Sequence, residues 1–258
     1  MKRRKRIVMS VICGLLVAAV ALGGTLAYLT DSESITNTFT VGTGYVGNDA
    51  FTLDETQIVD GKLPTEPTDT RTGEDQEYPD LLPGTQFAKD PTFHLGKNQD
   101  GTHVIESYIV AKLTDFDKAI SEGYIFKNML GEAGLNLNWV KVANSDGSTK
   151  SIDYRKYDGY YIFTNNGQID NMDVAYTGDN EDDIAILGEG QSTDALFTYV
   201  QLKDMGNDEF KNMENSLDVN ISGVAVQAPY TSPNDAVQAA IEKLTGGTTP
   251  TPAPTTNP

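Results

Sequence analysis

The chain contains two histidines, His94 and His103. Imidazole is both the usual biological base near neutral pH and the commonest metal ligand, so any acid–base or metal chemistry would begin with these rings. Eight residues separate them, and neither is followed by glutamate. The His-Glu-x-x-His pattern, which sets two imidazoles on one helix face with a glutamate base between them, is therefore absent. Between the two lies GKNQDG, whose Asp100-Gly101 signals a hairpin turn. Across such a turn the rings can approach each other, which makes His94 and His103 the candidates for a metal pair. The plainer reading is two surface imidazoles on adjacent strands. A Ser-His-Asp relay would have to use one of the same two rings, and the sequence has no Gly-x-Ser-x-Gly elbow. No residue is assigned a catalytic role.

A second feature is oxygen-rich. Between Asp170 and Asp183 lie six carboxylates. Such loops can bind calcium, and Asp179, Glu181 and Asp183 are the candidate ligands. The EF-hand spacing fails, because Ile184 stands where glycine is needed and Gly190 where the last glutamate is needed. The alternative is a solvated acidic loop over 169–190, and no other cofactor is expected. GEGQS (188–192) has glycines but no phosphate-binding lysine after it, so it reads as a turn.

Short alternating segments separated by turn signals dominate the elements that would hold these residues, which argues for an all-β sandwich of about nine strands. Ile35, Asn37, Phe39 and Val41 alternate with threonines, and Tyr45 to Leu53 forms a weaker strand. Asp54 to Asp80, rich in Pro, Thr, Asp and Glu, reads as a long exposed loop. Thr85 to Leu95 and Thr102 to Leu113 are expected to pair as a hairpin, with Ile105, Ile109, Ala111 and Leu113 facing the core. Asn136 to Ala143, Ser151 to Tyr157 and Tyr160 to Thr164 form a meander, followed by strands over Asp194 to Lys203 and Ser216 to Gln227. A short helix is expected over Asp115 to Glu122. A second begins at Ser232, a good N-cap, with Pro233 in its first turn and Asp235 at its positive end, and stops at Gly246-Gly247.

The chain opens with five consecutive cations, Lys2 to Arg6, and an apolar run from Ile7 to Leu22. That is the layout of a secretory signal peptide over 1–27, with small residues at Thr25 and Ala27. Cleavage is expected after Ala27, or after Tyr28. An uncleaved anchor is the alternative and would be the chain's only tie to a membrane. Cys13, the single cysteine, lies inside this segment, so the exported domain, 28–245, would have no disulfide and no thiolate ligand. Cleavage would leave 14 basic against 37 acidic residues, a formal charge of −23. So acidic a protein is repelled by nucleic acid. The last residues, 246–258, are a Pro/Thr-rich tail that cannot pack and should be extended and disordered.

The stretch GGTLAYLTDSESITNTFTVG (23–42) is similar to the signal-plus-first-strand region of the TasA/camelysin family, Gram-positive secreted proteins with SipW-type signal peptides. The likeness continues in LLPGTQFAKDPTFHLGKNQDGTHVIESYIVAKL and in LDVNISGVAVQAPY. The resemblance implies a jelly-roll-like antiparallel β-sandwich with a short C-terminal helix, export by a signal peptidase, and a place in extracellular fibres or biofilm matrix. It also implies donor-strand exchange, in which Ile35, Asn37, Phe39 and Val41 would enter a neighbouring copy or a related matrix subunit. Camelysin-type members are classed as metalloproteases, which supplies the enzymatic alternative; a monomeric surface adhesin is the third.

Overall fold

The computed structural model describes residues 30–34, 51–74, 76, 78, 81–96, 105–165, 184–210, 218–229 and 231–246. Ala27 and Tyr28, Ile35 to Val41, His103, the acidic residues Asp179, Glu181 and Asp183, and the Pro/Thr tail lie outside them. The chain divides into Met1–Thr30 with Thr248–Pro258, and Asp31–Gly247. The second unit carries the fold, which is mainly antiparallel β-sheet, as the alternation predicted.

A five-stranded sheet has the order β1 (Thr30–Ser34), β11 (Asn220–Gln227), β6 (Ser107–Thr114), β9 (Gly159–Phe163), β8 (Trp139–Asn144). Two three-stranded sheets accompany it. One orders β4 (Gln86–Ala88), β10 (Tyr199–Leu202) and β7 (Tyr124–Lys127). The other orders β3 (Arg71–Thr72), β2 (Phe51–Thr56) and β5 (Thr92–Leu95). The helices are α1 (Phe116–Ser121), α2 (Asn207–Phe210) and α3 (Pro233–Leu244).

The larger core is aromatic. Phe51, Phe87, Phe93, Phe116, Phe126, Trp139 and Phe197 pack with Ile109, Ala111, Leu113, Val219 and Ile221. The expected inward face of β6 is thus the buried one. Its other face is buried as well: Tyr108 and Val110 join Val140, Val142, Tyr160, Ile162, Val224 and Val226 against Ala236, Val237, Ala240 and Ile241 of α3. Covered on both sides, these strands read as nearly continuous apolar runs. The caps of α3 are those expected: Ser232 Oγ accepts from Asp235 N–H at 3.2 Å, and Pro233 opens the helix. At α1 the N-cap residue Asp115 has no capping hydrogen bond, and the carboxylate of distant Asp158 accepts from Phe116 N–H at 2.8 Å instead.

Two expected elements differ. Thr85 to Leu95 is not one strand paired with β6. It breaks at Lys89–Pro91, so β4 pairs with β10 and β5 pairs with β2, while β6 pairs with β11 and β9. Pro91 has no N–H to give a ladder, and Lys89 turns fully inward. Ser151 to Tyr157 is not a strand either. The carbonyls of Asp153, Lys156 and Asp158 turn onto Lys141 Nζ at 3.4, 2.5 and 2.8 Å, so they cannot serve a neighbouring strand. Burial pushes the Lys141 ammonium below its ordinary pKa, against the attraction of Asp117, Asp158 and Asp153.

Candidate functional site

Strand β2 places polar residues on both of its faces. Successive side chains of a strand point to opposite sides, so Asp54 lies on the half-exposed outer face while Glu55 points into the core. Each side chain gathers a polar cluster, and the segment predicted as a long exposed loop supplies partners to both. Asp54, Glu55 and Thr56 belong to β2, Arg71 and Thr72 fold back to pair with it, and Gln76 is buried. The tip of the excursion is pinned down too: Pro64 C=O accepts from Ala88 N–H, and Glu66 accepts from Tyr199 OH.

On the outer face Arg71 is the hub. Its Nε donates to Asp54 Oδ1 at 2.5 Å and its Nη1 to Asp90 Oδ2 at 2.6 Å. Nη2 reaches the carbonyls of Asp54 and Asp90 and the hydroxyl of Thr92. The other oxygen of Asp90 accepts from Thr56 N–H at 2.7 Å. A planar guanidinium with donors on two sides suits such a junction.

His94 sits beside this hub. Its Nε2 is 2.8 Å from Asp54 Oδ1, and its Nδ1 is 2.6 Å from Ser192 Oγ. The sequence singled out His94 but not its partners, since Ser192 is 98 residues away and faces His94 across an antiparallel bridge. Serine, imidazole and carboxylate thus stand in a row, as a nucleophilic relay requires. Two features set the row apart from one. Asp54 already neutralises Arg71. The N–H groups of Gly190, Gln191 and Thr193 are all given to carbonyls, so they form no donor pair for an oxyanion. The row works as a clasp between β2, β5 and the segment after Gly190.

Asp54 registers that clasp electrostatically. Burial acts to raise its pKa, but hydrogen bonds and charge from His94 and Arg71 outweigh burial and hold it below the ordinary 3.8. A carboxylate depressed in the folded state stabilises the fold above its unfolded pKa, and that contribution is lost as pH falls through the folded value. Asp54→Asn should therefore be less stable than the parent at pH 7. Urea unfolding along a pH series should show the gap constant down to about pH 4 and closing below it. A gap unchanged at pH 2.5 would contradict this placement of the charge.

On the inner face Glu55 and Lys89 form a pair with no solvent exposure, Lys89 Nζ lying 2.5 Å from Glu55 Oε2. The other carboxyl oxygen, Oε1, accepts from Gln76 Nε2 at 2.8 Å and Tyr78 OH at 3.1 Å. The Tyr78 hydroxyl is also 3.2 Å from Lys89 Nζ, and its ring stacks on Phe87. Burial is the largest influence on both charged groups. It pushes Glu55 up and Lys89 down, toward the neutral acid and neutral amine, while their mutual attraction opposes it. Nothing local in the sequence marks this pair.

Residues 2–72 match the model of a known protein family, described as camelysin metallo-endopeptidase. The match covers the N-terminal quarter of the chain, so the likeness to that family rests on residues 2–72 alone. The match ends at Thr72, the last residue of β3, so it includes Asp54, Glu55 and Arg71 of the two clusters and none of Lys89, Asp90, His94 or Ser192. Comparisons with curated proteins and with solved structures found no match.

The family description implies a catalytic metal, and the described residues do not fit one. Both nitrogens of His94 are engaged, and among the described residues no three His, Cys, Asp or Glu side chains converge as ligands. Among the described residues, no helix is long and apolar enough to cross a membrane.

Proposed function

We propose that this chain is an exported structural subunit of the cell surface or extracellular matrix, assembling by exchange of its N-terminal strand. The observation that carries this reading is the place of β1. It forms one edge of the five-stranded sheet and pairs with β11. Without β1, the eight residues of β11 become a free edge. An unpaired edge accepts any strand of suitable register, including the same segment of another copy, because the main-chain bonding is the same in both cases.

Donor-strand assembly requires that β1, or the alternating residues just after it, leave its own sheet for a neighbour's. The expected export signal precedes this segment, so cleavage near Ala27 would place β1 at a free chain end. Electron microscopy of the concentrated, exported form tests the proposal. Regular filaments are expected from the parent, none after deletion of 29–41, and fewer when a peptide spanning 30–42 is added in excess. Regular filaments from the deletion variant would show that β1 serves only its own sheet.

A further inference from the structure

The inner cluster on β2 is organised more specifically than a buried ion pair needs to be. Sequestering two charges costs several kcal/mol each, and an apolar pair of similar volume often does as well or better. Here a primary amine contacts one carboxyl oxygen, while two neutral donors, Gln76 Nε2 and Tyr78 OH, converge on the other. Donors gathered on one oxygen of a carbonyl centre, with a nucleophile at the other side, is the arrangement that stabilises addition to that centre. From this geometry we propose that Lys89 and Glu55 become joined by an intramolecular amide bond.

The reaction is a condensation and needs no co-reactant. Transfer of one proton across the 2.5 Å Nζ–Oε2 contact converts the ion pair into a neutral amine and a neutral carboxylic acid. Burial favours that form at both residues. The Nζ lone pair adds to Cδ of Glu55, and the Nζ–Cδ bond forms as negative charge develops on Oε1. Gln76 and Tyr78 donate to that oxygen. The Cδ–Oε2 bond then breaks. Oε2 leaves as water, carrying its own proton and a second one from Nζ, and Nζ keeps one hydrogen as the amide N–H. Tyr78 OH touches both Nζ and Oε1, so it can also carry a proton between them. Both side chains are fully buried, which keeps bulk water from reversing the reaction. Effective molarity supplies the drive, since the fold holds amine and acyl carbon together as one molecule.

The bond would tie β2 to the end of β4, 34 residues along the chain. Its consequence would be largest in a domain without disulfides, and the only cysteine here is Cys13.

Intact-mass spectrometry of the purified, folded full chain tests the proposal directly. The expected mass is below the sequence mass by one water, and digestion should yield a branched peptide joining the Glu55 and Lys89 segments. Lys89→Met and Glu55→Ala should each show their full sequence masses. Tyr78→Phe keeps the pair but removes the proton carrier and one oxyanion donor, so it should form the bond more slowly from freshly refolded protein. A parent chain that keeps its full mass after prolonged incubation would overturn the proposal. So would a deficit of one ammonia mapped to Lys89 and Gln76, which would place the bond on the wrong side chain.

Discussion

Lys89→Met is expected to destabilise the folded domain by about 3–5 kcal/mol, the cost of leaving one member of a buried ion pair without its partner. For a domain of this size that corresponds to a fall in Tm of roughly 6–20 °C. The physical source is Glu55, which would stay at zero exposure with Gln76 and Tyr78 still donating to it and no cation beside it. Glu55→Leu should cost a similar amount by stranding the ammonium. The double variant Lys89→Met with Glu55→Leu removes both polar groups and fills the space with carbon, so it should regain much of the loss. What it does not regain includes the cost to Gln76 and Tyr78 of losing the Oε1 acceptor they share. Strictly additive losses in the three variants, read from urea unfolding, would mean that the two side chains do not interact.

Gly223→Val should be at least as damaging. Gly223 lies mid-way along β11, and a Cβ at that position would come within 2.2 Å of Phe93 Cε1 and 2.6 Å of Cζ. Real Cβ atoms do not approach so closely, so one sheet must move. Phe93 cannot swing aside. It is fully buried, stacked on Phe51 at 5.5 Å and tilted against Trp139 at 5.8 Å. Overpacking a core costs about 1–3 kcal/mol where neighbours can adjust, and here the neighbours are aromatic rings held on both sides. Alanine should already be destabilising at this position, against the usual benefit of replacing a strand glycine. Adding Phe93→Leu to Gly223→Ala should recover part of the loss by opening the space. If Gly223→Ala melts at the parental temperature, the close contact between β5 and β11 is misplaced.

What could be read from the sequence was what is settled locally. Most of β6 and β9, all of β11 and helix α3 follow from alternation and from the Ser232-Pro233 start, because those signals lie within the element itself. The break at Lys89–Pro91 was missed, since a strand's alternation says nothing about which sheet it joins. Residues 57–70 are mostly exposed, as their polarity suggests. What the pattern does not show is the burial of Glu55, Thr56 and Gln76 at the ends of the segment, which depends on Lys89 reaching Glu55 and on Asp90 reaching Arg71, contacts between residues 34 and 19 positions apart. His94 was singled out for its residue type. Asp54 and Ser192, its actual partners, carry no mark that distinguishes them from the many other acids and hydroxyls of the chain.

The helix laid across the five-stranded sheet limits how that sheet can meet its surroundings. Among the described residues, the aromatic core packs on one face and α3 on the other, and the rims of the sheet are β1 and β8. Along the β8 rim the pairing with β9 slips between Lys141 and Ala143, and such bulges twist an edge out of the flat line that another strand needs. The β1 rim is then the better suited of the two. Donating β1 from one copy to the β11 edge of the next would join two different surfaces, and such head-to-tail contacts would build rows with distinguishable ends rather than closed pairs.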